Sequence, residues 1–244
     1  MFLNSFHSRR RHAYVIVALC AAFLALTARS VGSQPEEHPL VWSVARFPDV
    51  AMLEDAGDMR AVWDSLASSD SPRGAVERLF GAYAHGWSRE YRLMLTSDFH
   101  FVFAEAELRA QYPNGFTAED ERLSLLHLAH GTVKPDGRYL PPADAVNLVA
   151  TRIEIGPDPE HPDDERRYAL VRVGHASLQV MIGDGPMFPV FDGVEVMALV
   201  RGDAASIEPG QRADADHWYV RQWNEYPAGA PLVTETTTAG VVRR

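Results

Sequence analysis

The sequence predicts an α+β fold in which N-terminal helices pack against a curved antiparallel sheet. Three observations predict it. Apolar residues at helical spacing occur in the first half of the chain, the last such run ending at Gly131. Four longer strand-like runs, alternating apolar and polar, fill Ala145 to Tyr226. Loops rich in Pro, Gly and Asp separate those runs. Helices first and hairpin-joined strands afterwards is the α+β pattern, not the strand–helix alternation of a parallel sheet.

Residues 34–70 read as an N-terminal extension and linker, with a short helix around Met59 to Leu66. Ser71 is placed as an N-cap with Pro72 in the first helical position, where its missing N–H costs nothing. Val76, Leu79, Phe80 and Tyr83 then form one apolar helix face, and Gly86 ends the helix. Ser88 is expected to cap a second helix reaching Leu95. Ser97-Asp98 is expected to turn the chain into an aromatic strand, Phe99 to Ala104. YPNGF (Tyr112 to Phe116) is a turn signal. A third helix follows, capped by Thr117 with Asp120 three positions on, close to a capping box. Leu125, Leu128 and Ala129 face inward. The strands expected next are Ala145–Pro157, Arg166–Gly185, Val190–Asp203 and His217–Tyr226. Gly174, inside the second of these, marks a bulge or bend. Residues 71–227 form the folded domain, and the threonine-bearing tail 228–244 is expected to be disordered.

The 244 residues are 46% hydrophobic and 23% charged, enough for one core. Formal net charge is −10, and Lys134 is the only lysine. That balance argues against a nucleic-acid partner, which calls for a positive footprint. The single cysteine, Cys20, allows no intrachain disulfide and no thiolate metal site. SRRRH (Ser8 to His12) followed by the uncharged apolar run Ala13 to Ala28 reads as a secretory signal occupying residues 1–33. Leu19 stands before Cys20 where a lipobox wants a small residue, and His12 interrupts a twin-arginine pattern. Removing residues 1–33 leaves 19 basic and 33 acidic residues, a balance of −14. These features describe an exported, periplasmic or extracellular domain with no stable membrane insertion after signal cleavage.

The order helix–helix–strand–helix–strand–strand–strand–strand, with SPRGAVERLFGAYAHGWSREYRLMLTSDFHFVF opening it and VEVMALVRGD and HWYVRQWNEY closing it, resembles the NTF2-like, or SnoaL-like, cone-fold superfamily. It is most similar to exported, uncharacterised bacterial members, over about Ser71 to Tyr226. The resemblance implies a conical cavity inside a curved sheet. In different members that cavity holds an acid–base site, a small ligand or nothing. It also implies a homodimer through the open sheet face.

His100 alternates with Phe99, Phe101 and Phe103. If the aromatics face the helices, His100 lies on the other face; in the opposite register it points inward as a general base near neutral pH. Tyr83 is the other candidate for acid–base work, because cone-fold isomerases pair a tyrosine with a neutral carboxylic acid. No buried carboxylate is evident: Glu154 and Glu195 alternate with apolar residues and are expected to face solvent. Trp218, Tyr219 and Trp223 make the last strand aromatic on both faces, read as a core and a rim tryptophan. Tyr83, Phe101, Trp218 and Trp223 are the ligand-pocket candidates. His127 and His130 share a helix side, but nothing completes a zinc site. The acidic loop His161 to Glu165 lacks the pattern of a calcium loop. No metal or cofactor is expected. GxSxG, GxGxxG, P-loop and HExxH motifs are absent.

The function expected from these residues is binding of a small apolar ligand or a protein partner without catalysis. The rival expectations are a SnoaL-like isomerase or dehydratase using His100 and Tyr83, and a dimeric interaction subunit.

Overall fold

The computed structural model describes residues 40–44, 64–183 and 185–228. The signal segment, the C-terminal tail and most of the expected 59–66 helix lie outside the described residues. Helix α1 (Pro72–Ala84) starts where its cap dictates: Ser71 Oγ accepts a hydrogen bond from Gly74 N at 3.1 Å. Helix α2 (Ser88–Leu93) begins at Ser88 itself, so the N-cap is Trp87, one residue before the expected cap, with no side-chain cap bond. Strand β2 (Leu95–Val102) includes Ser97-Asp98, where a turn into the strand was expected, and its pairing register shifts between Leu95 and His100. Ser97 N donates to Ser206 O at 2.7 Å, which holds that stretch extended.

Next come a short helix not foreseen in the sequence, α3 (Ala106–Gln111), and strand β3 (Phe116–Thr117). Helix α4 (Ala118–His130) has a complete capping box between Thr117 and Asp120. A small hairpin, β4 (Thr132–Val133) and β5 (Tyr139–Leu140), leads into four long strands: β6 (Ala145–Gly156), β7 (Tyr168–Met181), β8 (Phe188–Arg201) and β9 (Trp218–Pro227). β1 (Leu40–Val44), within the stretch read as extension and linker, pairs with β6 at the sheet edge.

The seven-stranded order is β1-β6-β7-β8-β9-β2-β3, antiparallel except where β2 runs parallel to β9. Four register shifts interrupt this sheet, one between β2 and β9, two between β7 and β8 and one between β8 and β9, and two of them bear on the site. The β7–β8 register shifts between Val173 and Ala176, at the expected Gly174. The β8–β9 register shifts between Ala198 and Leu199, leaving Arg221 as the extra residue. An extra residue increases local twist and resets which side chains face inward. Val220 and Trp223 therefore share the inner face although they are three apart.

That inner face carries Val171, Val173, Met197, Leu199 and Val220, all fully buried. α1 lays Val76, Leu79 and Phe80 onto it. Phe80 meets Trp42 of β1 edge-on at 5.6 Å and Trp223 at 5.7 Å. Burying each such side chain stabilises the fold by about 1.5–3 kcal/mol before entropy is counted.

Candidate active site

The core thins out toward one end of the sheet, where the strands, α1 and α4 enclose a cavity of about 780 Å³. Rings from four elements and the loop at Tyr112 line it: Phe80, Phe101, Phe103, Tyr112, Phe116 and Trp223. They interlock edge-on, with Phe103–Phe116 at 4.8 Å, Phe101–Phe103 at 4.9 Å and Phe101–Trp223 at 5.4 Å. The Tyr112–Phe116 turn presses close. Gly115 has φ +66°, and a Cβ there would lie 2.0 Å from the Phe101 carbonyl oxygen, so only glycine fits.

Four glutamates also line this apolar space, Glu105 and three whose charge state the site controls: Glu121 from α4, Glu195 from β8 and Glu225 from β9. Glu195 and Glu225 are register partners on neighbouring antiparallel strands, which sets them directly opposite each other. Trp223, two residues before Glu225 on the same face, donates its indole N–H to Glu195 Oε2. Ala104 N donates to Glu225 Oε2 at 3.4 Å. Tyr91 donates its hydroxyl to Glu121 Oε2 at 3.2 Å.

Burial dominates the charge state of all three. It pushes Glu121 up to about 7 against the pull of the Tyr91 hydrogen bond. It pushes Glu225 up to about 8, with Glu121 and Glu105 adding repulsion. Glu195 is raised well above the usual carboxylate range by burial and then by the charge of Glu225. Two like charges this close do not both ionise, so the pair titrates as a unit. Burial and the same three glutamates raise the Tyr83 hydroxyl, which stays protonated and able to donate. An indole N–H only donates, so the proton of neutral Glu195 resides on Oε1. At neutral pH the site therefore holds one glutamate poised to ionise, a protonated carboxyl pair and a phenol.

Of the residues singled out in the sequence, Tyr83, Phe101 and Trp223 line the cavity. Trp218 does not. It is buried farther down the inner face, below the Arg221 bulge, so neither tryptophan is a rim residue. His100 is exposed on the outer face, because Phe99 and Phe101 are the buried set of β2. His100 and Tyr83 are therefore on opposite sides of the sheet, and the acid–base pair expected of them is not assembled.

Glu195 overturns a second expectation: it is 3% exposed, not solvated. The β8 run is apolar on both faces, so alternation alone leaves its phase open. The column Phe191, Gly193, Glu195, Met197, Leu199 is the inner one, and it carries the glutamate inward. Pairing that column against Trp223 and Glu225 was the signal available in the sequence.

His127 lines the cavity and His130 is exposed. The β6–β7 loop brings ligand atoms of Asp158, Glu160 and His161 within 4.8 Å of one another. Arg221, the bulge residue, already sits there, with Nη2 at 2.6 Å from Asp158 and 2.7 Å from Glu160. Among the described residues no helix is long and apolar enough to cross a membrane.

No protein-family model matches the chain, and no curated protein does. Solved structures are similar in overall shape. One is described as a calcium/calmodulin dependent protein kinase II association domain, an inferred assignment, from Xanthomonas campestris. It is 7% identical with a TM-score of 0.40, covering 76% of this chain and 96% of that one. Another is an NTF2-like protein with a cystatin-like fold from Novosphingobium aromaticivorans, 11% identical, TM-score 0.38, covering 76% and 94%. A third, of unknown function with a cystatin-like fold, comes from Nostoc punctiforme, 8% identical, TM-score 0.37, covering 65% and 89%. No functional assignment rests on these likenesses.

Proposed function

We propose that this protein is an exported acid–base enzyme that moves a proton within a small, largely apolar carbonyl compound, causing isomerisation or loss of water. The observation that carries this reading is the directly opposed Glu195–Glu225 pair in an aromatic cavity beside Glu121. Two buried carboxyl groups, Glu121 and Glu195, with a half-buried third, Glu225, destabilise a fold. Titratable groups arranged this way in a cleft are a signature of chemistry. Export rests on the basic and apolar run at the N-terminus.

The roles follow from the hydrogen bonds. Glu121, titrating near 7, takes a proton from the carbon next to the carbonyl. The C–H electron pair moves into a carbon–carbon double bond, and charge appears on the carbonyl oxygen. Neutral Glu195, through Oε1–H, and the Tyr83 hydroxyl donate to that oxygen. The proton then returns to a different carbon, giving an isomer. Alternatively a β-hydroxyl leaves as water, taking the proton of Glu225. A positioned base contributes about 10²–10⁴-fold and an oxyanion donor about 10²–10³-fold.

The test is deuterium incorporation from D₂O into a panel of enolisable cyclic and aryl ketones, followed by NMR. Exchange by the wild type that falls at least about 100-fold in Glu121→Gln supports the reading. Compounds that raise the melting temperature yet never exchange would overturn it in favour of the binding domain without catalysis.

A further inference from the structure

Lys134, the only lysine of the chain, is 7% exposed and lines the same cavity. It stands at the start of the β4–β5 turn. Its own N–H donates to Arg138 O at 2.8 Å, and its carbonyl accepts from Gly137 N at 2.8 Å. The backbone is thus pinned where the residue lines the cavity. Among the described residues its ammonium forms neither an ion pair nor a hydrogen bond. Asp136, the acid nearest in the chain, is exposed and engaged by Arg138, with Nε donating to Oδ2 at 3.0 Å; the Lys134 charge acts on it through space, more weakly than Arg138 does and without an ion pair. The carboxyl groups that share the cavity wall, Glu105, Asp120, Glu121, Asp192, Glu195 and Glu225, form no ion pair with Lys134.

A lysine this buried is ordinarily paired, since desolvating an ammonium is costly. An unpaired one at the wall of a largely apolar cavity is available to an anionic group of a ligand. We propose that Lys134 holds an anionic group of the ligand, a carboxylate in the simplest case, so that the cavity takes apolar acids. The inference deepens the enzymatic reading, on which it rests for the choice of site. It places the charged end of the molecule against the β4–β5 hairpin and leaves the apolar remainder over Glu195 and Glu225.

Two fluorescent probes of nearly the same skeleton separate charge from apolar fit. One is 8-anilinonaphthalene-1-sulfonate, anionic; the other is N-phenyl-1-naphthylamine, neutral. Both are titrated into the full folded domain, wild type and variants. Wild type is expected to favour the anionic probe, and the ratio of the two affinities is expected to fall at least about tenfold in Lys134→Met. Lys134→Arg should restore most of it. Neutral-probe binding within about twofold of wild type shows an intact cavity, and Lys134→Gln serves if the methionine variant fails to fold. An unchanged ratio, equal loss of both probes, or no anionic binding by wild type overturns the proposal. Because the ratio is read without turnover, it stands or falls separately from the Glu121→Gln exchange experiment.

Discussion

Glu195 and Glu225 are paired residue to residue across β8 and β9, on the inner face of the sheet, with Trp223 bonded to the first and Ala104 to the second. Side chains so placed are favourable as a neutral or half-neutral pair and repulsive as two anions. A proton between them is therefore part of the folded state.

Stability should consequently fall as pH rises. A carboxyl whose pKa is higher folded than unfolded keeps its proton in the native state after the unfolded chain has lost it. Unfolding then releases protons, and alkali favours unfolding. The full contribution is present below about 4.5 and is lost as pH rises through 7 for Glu121 and 8 for Glu225. For Glu121 alone the loss is on the order of 3 kcal/mol. Urea midpoints measured from pH 5 to 9 should decline, and Glu225→Gln should flatten the decline above pH 7. A flat profile in the wild type would show that these groups are not protonated at neutral pH.

Trp223→Phe removes the indole donor and keeps the ring. The Trp223 bond favours the anionic form of Glu195, so its loss pushes Glu195 further up. The variant should lose about 1–3 kcal/mol for the acceptor left unsatisfied. Chemical denaturation measures the loss, and it should be the same at pH 5 and pH 7, because native Glu195 is neutral at both.

Much of this architecture was legible in the sequence. Ser71, the Thr117–Asp120 box, Gly131 and Gly174 each specify a local backbone event that depends on few neighbours, and each occurs at its residue. The site was harder to read because it depends on register. A single extra residue at Arg221 puts Val220 and Trp223 on one face, which simple alternation forbids. The two-sided apolar character of β8 hid the direction of Glu195, and Glu225 acquires significance only once Glu195 is its partner. Tyr83 and Phe101 were identifiable because helix spacing and the aromatic alternation of β2 each leave one sensible orientation.

His100→Ala tests the other side of that alternation. The imidazole is exposed on the outer face and touches no cavity residue through a hydrogen bond. Stability should change by less than about 0.5 kcal/mol. Binding of both naphthalene probes should be unaltered in fluorescence titrations. A loss of ligand affinity comparable with that of a lining residue would mean the strand is turned over.

Tyr91→Phe isolates the base. Tyr91 is fully buried, meets Tyr83 edge-on at 5.7 Å and gives its hydroxyl to Glu121. That bond stabilises the carboxylate, so removing it raises the Glu121 pKa above about 7. If Glu121 must be ionised to take a carbon-bound proton, the pH at which exchange reaches half its maximum moves alkaline in the variant. The plateau rate at high pH should change little, because a stronger base is generated at the same place. A structural role for Tyr91 would instead lower the rate equally at every pH. The pH dependence of deuterium exchange for wild type and Tyr91→Phe separates the two outcomes: an alkaline shift identifies Glu121 as the group that titrates, and an unshifted profile removes it from that role.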